Sequence, residues 1–146
     1  MAILDQLRDE LHISISQIRT YLRCGRAYEL RYVLGAKPAF KPVPLALGTS
    51  FHAALAKFYL AVKEEGSPPP LQVVTEEFRS AWQRELDADV PLQADEEEPA
   101  DTGALVDKGA EMLRVFHENA VKSLDGVKVV AVEQPFSIPL TDPDTG

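Results

Sequence analysis

Proline clusters and hydrophobic periodicity divide this chain into helical segments. The segment AKPAFKPVP, residues 36–44, contains three prolines, and EGSPPP, residues 65–70, contains three more. Proline lacks the backbone N–H and fixes φ, so neither cluster fits inside a helix. Around these clusters, apolar residues recur near helical spacing over residues 47–65, about 70–88 and 103–124. The sequence therefore predicts a mostly α-helical chain.

Shorter helices are predicted before the first proline cluster. Ser14 with Gln17 three residues later is a capping-box pattern, which predicts a helix from about residue 16. Gly25 is expected to break or bend that helix. A second short helix is expected to end at Gly35, because glycine is favoured just past a helix C-terminus. Residues 2–11 are predicted to form a further amphipathic helix.

The hydrophobic pattern changes after residue 126. Residues 127–140, VKVVAVEQPFSIPL, are rich in β-branched residues and contain two prolines, which favours an extended strand. The turn sequence TDPDTG follows, and a lone strand cannot satisfy its own backbone groups. We therefore expect this strand to pair with another chain or with a missing C-terminal part. Residues 1–146 are then one incomplete domain, with a helical part over 1–126.

Composition limits the class of protein. The chain has 146 residues, a net charge of −8 and one cysteine, which excludes a disulfide framework. The N-terminal residues are acidic and do not resemble a secretory signal, and no run of residues suggests a membrane span. We expect a cytoplasmic protein that does not contact a membrane.

Charge is distributed unevenly along the chain. Residues 19–63 contain eight lysines and arginines and a single acid, Glu29. Residues 64–101 contain twelve acids and two arginines, and the segment 88–102 is predicted to be a mobile acidic loop. The basic region is a candidate anion-binding surface. The alternative is that both regions are ordinary solvated faces.

Three sequence blocks resemble a known family. The first block, SISQIRTYLRCGRAYELRYVLG, contributes Ser14, Ser16, Ile18, Tyr21, Cys24, Tyr28, Arg31 and Tyr32. The second contributes Gly48, Thr49 and His52, and the third contributes Glu133 and Phe136. In this order and spacing, the blocks resemble the N-terminal part of RecB-like exonucleases in the PD-(D/E)XK nuclease superfamily.

This resemblance implies a fold and an activity. The chain would be the helical N-terminal part of an α/β, restriction-endonuclease-like domain, ending with the first core strand. The activity would be hydrolysis of DNA phosphodiester bonds with Mg²⁺ or Mn²⁺, on single strands or ends, in repair, recombination or CRISPR adaptation. The family's Asp and (Asp/Glu)-x-Lys residues are not found here, so we expect the chain alone to be inactive.

His52 is the candidate metal ligand. With Phe51 at the centre of a predicted core stripe of Leu55, Phe58 and Val62, His52 falls on the flank of that stripe, one turn after Gly48. We expect open space over its imidazole, whereas His117 is expected to be a surface residue. The resemblance implies that the histidine of the second block binds the divalent ion. A structural histidine is the alternative.

Glu133 is a candidate catalytic residue, with two interpretations. It follows the apolar run Val129–Val132, where burying a carboxylate is costly unless it is paired. It either contributes to the metal site, directly or as a brace, or lies at a strand edge in water. Both interpretations stay open.

Four arginines and one tyrosine are candidate nucleic-acid contacts. Arg19, Arg23 and Arg26 would share one face if the helix continued through Gly25, and such a stripe, with Arg31, suits phosphate contacts. Tyr28 could stack on a base, but packing within the helical hairpin is the favoured interpretation. On these residues, a non-catalytic module that binds nucleic acid or protein is the alternative function.

Cys24 has two interpretations. The resemblance implies that some family members use this cysteine as the first ligand of a [4Fe–4S] cluster. Here Gly25 replaces the family's proline after the cysteine, and one cysteine cannot hold a cluster alone. We favour a small buried side chain, because free cysteine is among the most buried residue types.

Overall fold

The computed structural model describes residues 13–93, 102–134 and 136. Residues 13–37 belong to one compact unit, and residues 38–93 and 102–133 belong to another. The predicted helix over 2–11, residue His12 and most of the acidic loop lie outside the described residues. The two units are described separately.

The first unit is a helical hairpin broken at Cys24. Helix α1, Ile15–Arg23, begins at Ser14, whose hydroxyl accepts from the Gln17 amide at 3.2 Å while the Gln17 side chain accepts from the Ser14 amide. The predicted capping box is therefore confirmed. Cys24 is extended, with φ −162° and ψ 107°, so the predicted break occurs one residue before Gly25.

The second arm of this hairpin consists of a short α-helix followed by a π-helix. Helix α2, Gly25–Tyr28, continues directly into a π-helix, Glu29–Val33. Gly35 has φ 61°, a left-handed conformation that glycine adopts at little cost. The predicted end of the second helix at this glycine is confirmed.

The second unit consists of three helices and two very short strands. Helices α3, Val43–Glu65, α4, Leu71–Leu86, and α5, Thr102–Ser123, match the three helices predicted after the first proline cluster. Strand β1, Lys41–Pro42, pairs in parallel with β2, Leu92–Gln93.

Two predicted irregular segments are more ordered than expected. Helix α3 begins at Val43 and includes Pro44 in its first turn, where the missing N–H is not needed. Strand β1 therefore lies inside the predicted connector, and β2 lies inside the predicted acidic loop. Two-residue strands carry no detectable periodicity, which is why the sequence did not indicate them.

The core forms where α3 and α4 pack together and α5 closes over them. Phe58, Phe78 and Leu113 are fully buried, one from each helix. The face of α3 that is most buried contains Ala46, Ser50, Ala54 and Phe58, spaced four residues apart. The predicted core stripe was centred on Phe51, which is only half-buried. The most buried face instead carries small residues, which let the neighbouring helices approach closely.

Helix α3 is long and apolar enough to cross a membrane by length and composition, contrary to the sequence prediction that no such run exists. In this structure one of its faces packs in the core described above. Core helices of globular domains pass the same test.

His117 corrects another prediction. Its ring is half-buried, its Nε2 lies 2.7 Å from the carbonyl oxygen of Pro69, and it packs edge-on against Phe58. The expected surface histidine is therefore a structural one that ties α5 to the turn before α4. The sequence next to it, Glu118 and Asn119, gave no indication of this contact.

The predicted strand over 127–140 has no partner strand in the part of the chain that the structure describes, so the strand stays a prediction. Residues 127–134 form no hydrogen-bonded strand with any segment that the structure describes. No neighbouring strand lies beside residues 127–134 in the described part of the chain, so their backbone N–H and C=O groups cannot form the hydrogen bonds of a β-sheet there. Apart from Phe136, which is exposed, residues 135–140 lie outside the described part of the chain.

Candidate functional site

The structure places His52 on the exposed flank of α3. Its side chain is 76% exposed. The preceding Phe51 packs its ring 4.9 Å from that of Phe78, which turns the next position toward solvent. One turn earlier, a Cβ built on Gly48 would meet nothing within 4 Å beyond its own helix. The expected open space at this position is confirmed.

Glu133 reaches His52 from the segment that follows α5. The Oε1 atom of Glu133 lies 3.1 Å from Nδ1 of His52, although the two residues are 81 positions apart. Glu133 is the one non-glycine residue with positive φ, 45°, among those described. Such a conformation costs about 1–3 kcal/mol, and here it accompanies a specific contact.

This contact leaves one imidazole nitrogen available. With the hydrogen on Nδ1, the ring donates to the Glu133 carboxylate, and the lone pair then lies on Nε2. Metal-binding histidines commonly donate their second nitrogen to a carboxylate, which fixes the tautomer and the ring orientation. Of the two roles predicted for Glu133, this geometry therefore favours the brace over an unpaired strand-edge residue.

The pair lies at an open groove with mainly apolar walls. The groove has a volume of about 650 Å³, and its lining residues with polar side-chain groups are His52, Glu133, Ser123 and Tyr59. Helix α3 contributes Leu55, Ala56 and Tyr59 to the walls, and the C-terminal segment contributes Leu124, Val127 and Val129 through Val132. A ligand bound at the imidazole would therefore have a hydrophobic surface beside it.

The ligand set for a divalent cation is incomplete in the residues described. No group of three or more His, Cys, Asp or Glu side chains that could hold a metal ion occurs in these ranges. Mg²⁺ and Mn²⁺ favour six ligands, mostly oxygen. The pair His52–Glu133 fits such an ion as one nitrogen ligand with its bracing carboxylate, and further oxygen ligands are required.

The four candidate arginines lie in the first unit, and all are exposed. The condition for a continuous stripe of Arg19, Arg23 and Arg26 is not met, because α1 ends at Arg23 and Arg26 belongs to α2. Arg26 is also paired, with its Nη1 2.6 Å from Oε2 of Glu29. Arg19 and Arg23 remain one turn apart on α1.

Tyr28 is mainly a packing residue, as the favoured interpretation held. Its ring lies between those of Tyr21, at 5.6 Å, and Tyr32, at 5.3 Å, and it is half-buried. Cys24, in contrast, is exposed, so the prediction of a buried cysteine is wrong. Its extended backbone at the junction of α1 and α2 turns the residue out of the hairpin interior.

The sequence reasoning missed a hydroxyl cluster between the two arms of the hairpin. The Ser16 side chain, and more weakly the Thr20 side chain, favours the ionised form of Tyr32 and holds its pKa below its ordinary value, and the nearby Arg31 guanidinium acts in the same direction. That guanidinium lies 5.4 Å from the centre of the Tyr32 ring. The available signal was the spacing of Ser16 and Thr20, which puts both hydroxyls on one side of α1.

Comparison with known proteins gives one match. A model of the PD-(D/E)XK nuclease superfamily matches residues 12–142. This range includes the hairpin, all three long helices and both residues of the His52–Glu133 pair. No curated protein and no solved structure matches the chain significantly.

Proposed function

Because the chain belongs to the PD-(D/E)XK nuclease superfamily, we propose that it forms part of the active site of a RecB-like, metal-dependent DNA exonuclease. The substrates would be single strands or DNA ends, and the setting would be cytoplasmic DNA repair, recombination or CRISPR adaptation. One observation carries the proposal: two residues of separate motif blocks, His52 and Glu133, meet at an exposed groove.

His52 is the proposed metal ligand, through Nε2. Glu133 is the proposed positioning residue, because its carboxylate accepts the Nδ1 hydrogen, which fixes the imidazole orientation and leaves Nε2 as the ligand atom. A bound Mg²⁺ or Mn²⁺ would supply Lewis-acid stabilisation of the scissile phosphate and a more acidic water. An imidazole among oxygen ligands shifts the preference toward Mn²⁺.

The remaining oxygen ligands and the lysine would come from the family's Asp and (Asp/Glu)-x-Lys residues. We propose that they lie on strands that pair with residues 127–140, from another chain or from a C-terminal part of the protein. Val127 and Val130 are 56% and 78% exposed, which fits a segment that is covered when the sheet is complete. The chain by itself is then expected to cleave no DNA. Cys24 would be a ligand of a [4Fe–4S] cluster only if three further cysteines joined it, and this sequence contains no other cysteine.

The test is cleavage of end-labelled DNA in Mn²⁺ by a protein that joins this chain to the family's carboxylates and lysine. His52→Ala is expected to lower kcat by at least about tenfold, and Glu133→Gln to weaken metal affinity by about 10- to 100-fold. His117→Gln is the matched control, because that ring lies against Phe58 and outside the groove lining. Equal cleavage by His52→Ala and the unaltered protein would exclude His52 from the metal site.

A further inference from the structure

The helical hairpin, residues 13–37, is strongly basic although the whole chain is acidic. Residues 13–37 contain four arginines and one lysine, and their only acid is Glu29. Glu29 is already paired with Arg26. Within these residues, Arg19, Arg23 and Arg31 are therefore left with no carboxylate to pair with. Within residues 13–37 their positive charge is not compensated, and uncompensated positive charge attracts an anionic partner.

These three arginines lie around the hydroxyl cluster of Ser16, Thr20 and Tyr32. With about 100° between successive residues, Ser16, Arg19, Thr20 and Arg23 occupy a sector of about 100° on α1. On the second arm of the hairpin, Arg31 lies over the ring of its neighbour Tyr32, and the Ser16 side chain on α1 lowers the pKa of the Tyr32 hydroxyl. Guanidinium groups beside hydroxyl donors are the groups that contact phosphate and sugar in nucleic-acid complexes.

We propose that this face of the hairpin, defined by Arg19, Arg23, Arg31, Ser16 and Thr20, binds the phosphodiester backbone of DNA without reading its sequence. The identification of the polyanion as DNA rests on the proposed nuclease function. The contact itself needs no metal ion and does not involve His52. Its role would be to hold a strand by its phosphates while cleavage occurs elsewhere.

The experiment measures binding of a fluorescein-labelled 20-nucleotide single strand to the 146-residue chain in EDTA, from 25 to 200 mM NaCl. The test variant replaces Arg19, Arg23 and Arg31 with glutamine. The matched control replaces three ion-paired arginines, Arg26, Arg84 and Arg114, and removes the same net charge. A third variant carries lysine at the three test positions.

Loss of three phosphate contacts on a single strand lowers the slope of log affinity against log salt by about 2. We expect that change, with at least about a tenfold loss of affinity at the lowest salt, in the test variant only. The lysine variant should retain the salt slope. All six guanidiniums are exposed, so helicity at 222 nm should be unchanged.

Equal losses in the test variant and the matched control would overturn the proposal, because net charge alone would then explain binding. Absence of salt-dependent binding by the unaltered chain would also overturn it. His52→Ala should bind the strand normally. If His52→Ala did not change cleavage, the proposed DNA-binding face would therefore still stand. If the arginine variant bound DNA normally, the proposed metal site would still stand.

Discussion

Replacing Gly109 with alanine should destabilise the second unit, although alanine normally favours a helix. Gly109 lies within α5, and a Cβ built there would be 2.3 Å from Cζ and 2.6 Å from Cε1 of Phe78. Ordinary carbon contacts are about 3.5–4.0 Å. Phe78 is fully buried, so its ring has no open space to move into. The glycine is what allows α5 to approach α4.

The expected size follows from two opposing effects. Alanine gains about 1 kcal/mol over glycine within a helix, and overpacking a filled core costs about 1–3 kcal/mol, occasionally more. Because this overlap exceeds 1 Å, we expect the upper part of that range and a net loss of about 1–2 kcal/mol. Gly48→Ala in α3 is the matched control, since its Cβ would meet nothing, and it should stabilise by about 0.5–1 kcal/mol.

Urea unfolding followed by circular dichroism and by the fluorescence of buried Trp82 measures both changes. Phe78→Leu removes the ring, so Gly109→Ala should cost less in that background, and the coupling measures the clash directly. If Gly109→Ala stabilised the chain as much as Gly48→Ala, the close packing of α5 against Phe78 would be refuted.

Three further outcomes are expected. Ser16→Ala removes the hydroxyl that favours ionised Tyr32, so the pKa of Tyr32 should rise toward its ordinary value. Absorbance titration at 295 nm measures this change, and an unchanged titration would contradict the hydroxyl cluster. Lys41→Met leaves the Glu85 carboxylate, which is 15% exposed, without its ammonium partner at 2.5 Å. This single variant should have a lower urea midpoint than the double variant Lys41→Met with Glu85→Gln, because the double variant leaves no unpaired charge. Ser14→Ala removes the capping box and should cost α1 about 1 kcal/mol, seen as faster amide exchange in that helix alone.

Most of the helical architecture could be predicted because it depends on local signals. The Ser14 capping box, Gly35 and the proline clusters fixed helix ends to within a few residues, since each acts through backbone groups close in sequence. The core face of α3 was harder to predict. Its small residues are buried because a neighbouring helix packs there, and side-chain size alone pointed to Phe51 instead.

The residues of the candidate site could be predicted from the sequence, but the contact between their side chains could not. His52 and Glu133 came from separate motif blocks, and nothing in the periodicity indicated a hydrogen bond across 81 positions. His117 resembles His52 in its neighbours, since each follows a phenylalanine. Their environments differ because the Pro69 carbonyl oxygen contacts His117, a residue distant in sequence, whereas Gly48 leaves open space one turn before His52.

The most direct test of the central claim is the NMR signal of the His52 ring during Mn²⁺ titration of a protein that joins this chain to the family's carboxylates and lysine, with the His117 ring as an internal reference. Paramagnetic Mn²⁺ broadens nuclei near its binding site, so the account predicts selective broadening of His52 at low Mn²⁺ concentration. Glu133→Gln should abolish that selectivity, because the imidazole loses its brace. Equal broadening of both histidines, or selectivity that survives Glu133→Gln, would contradict the proposed site.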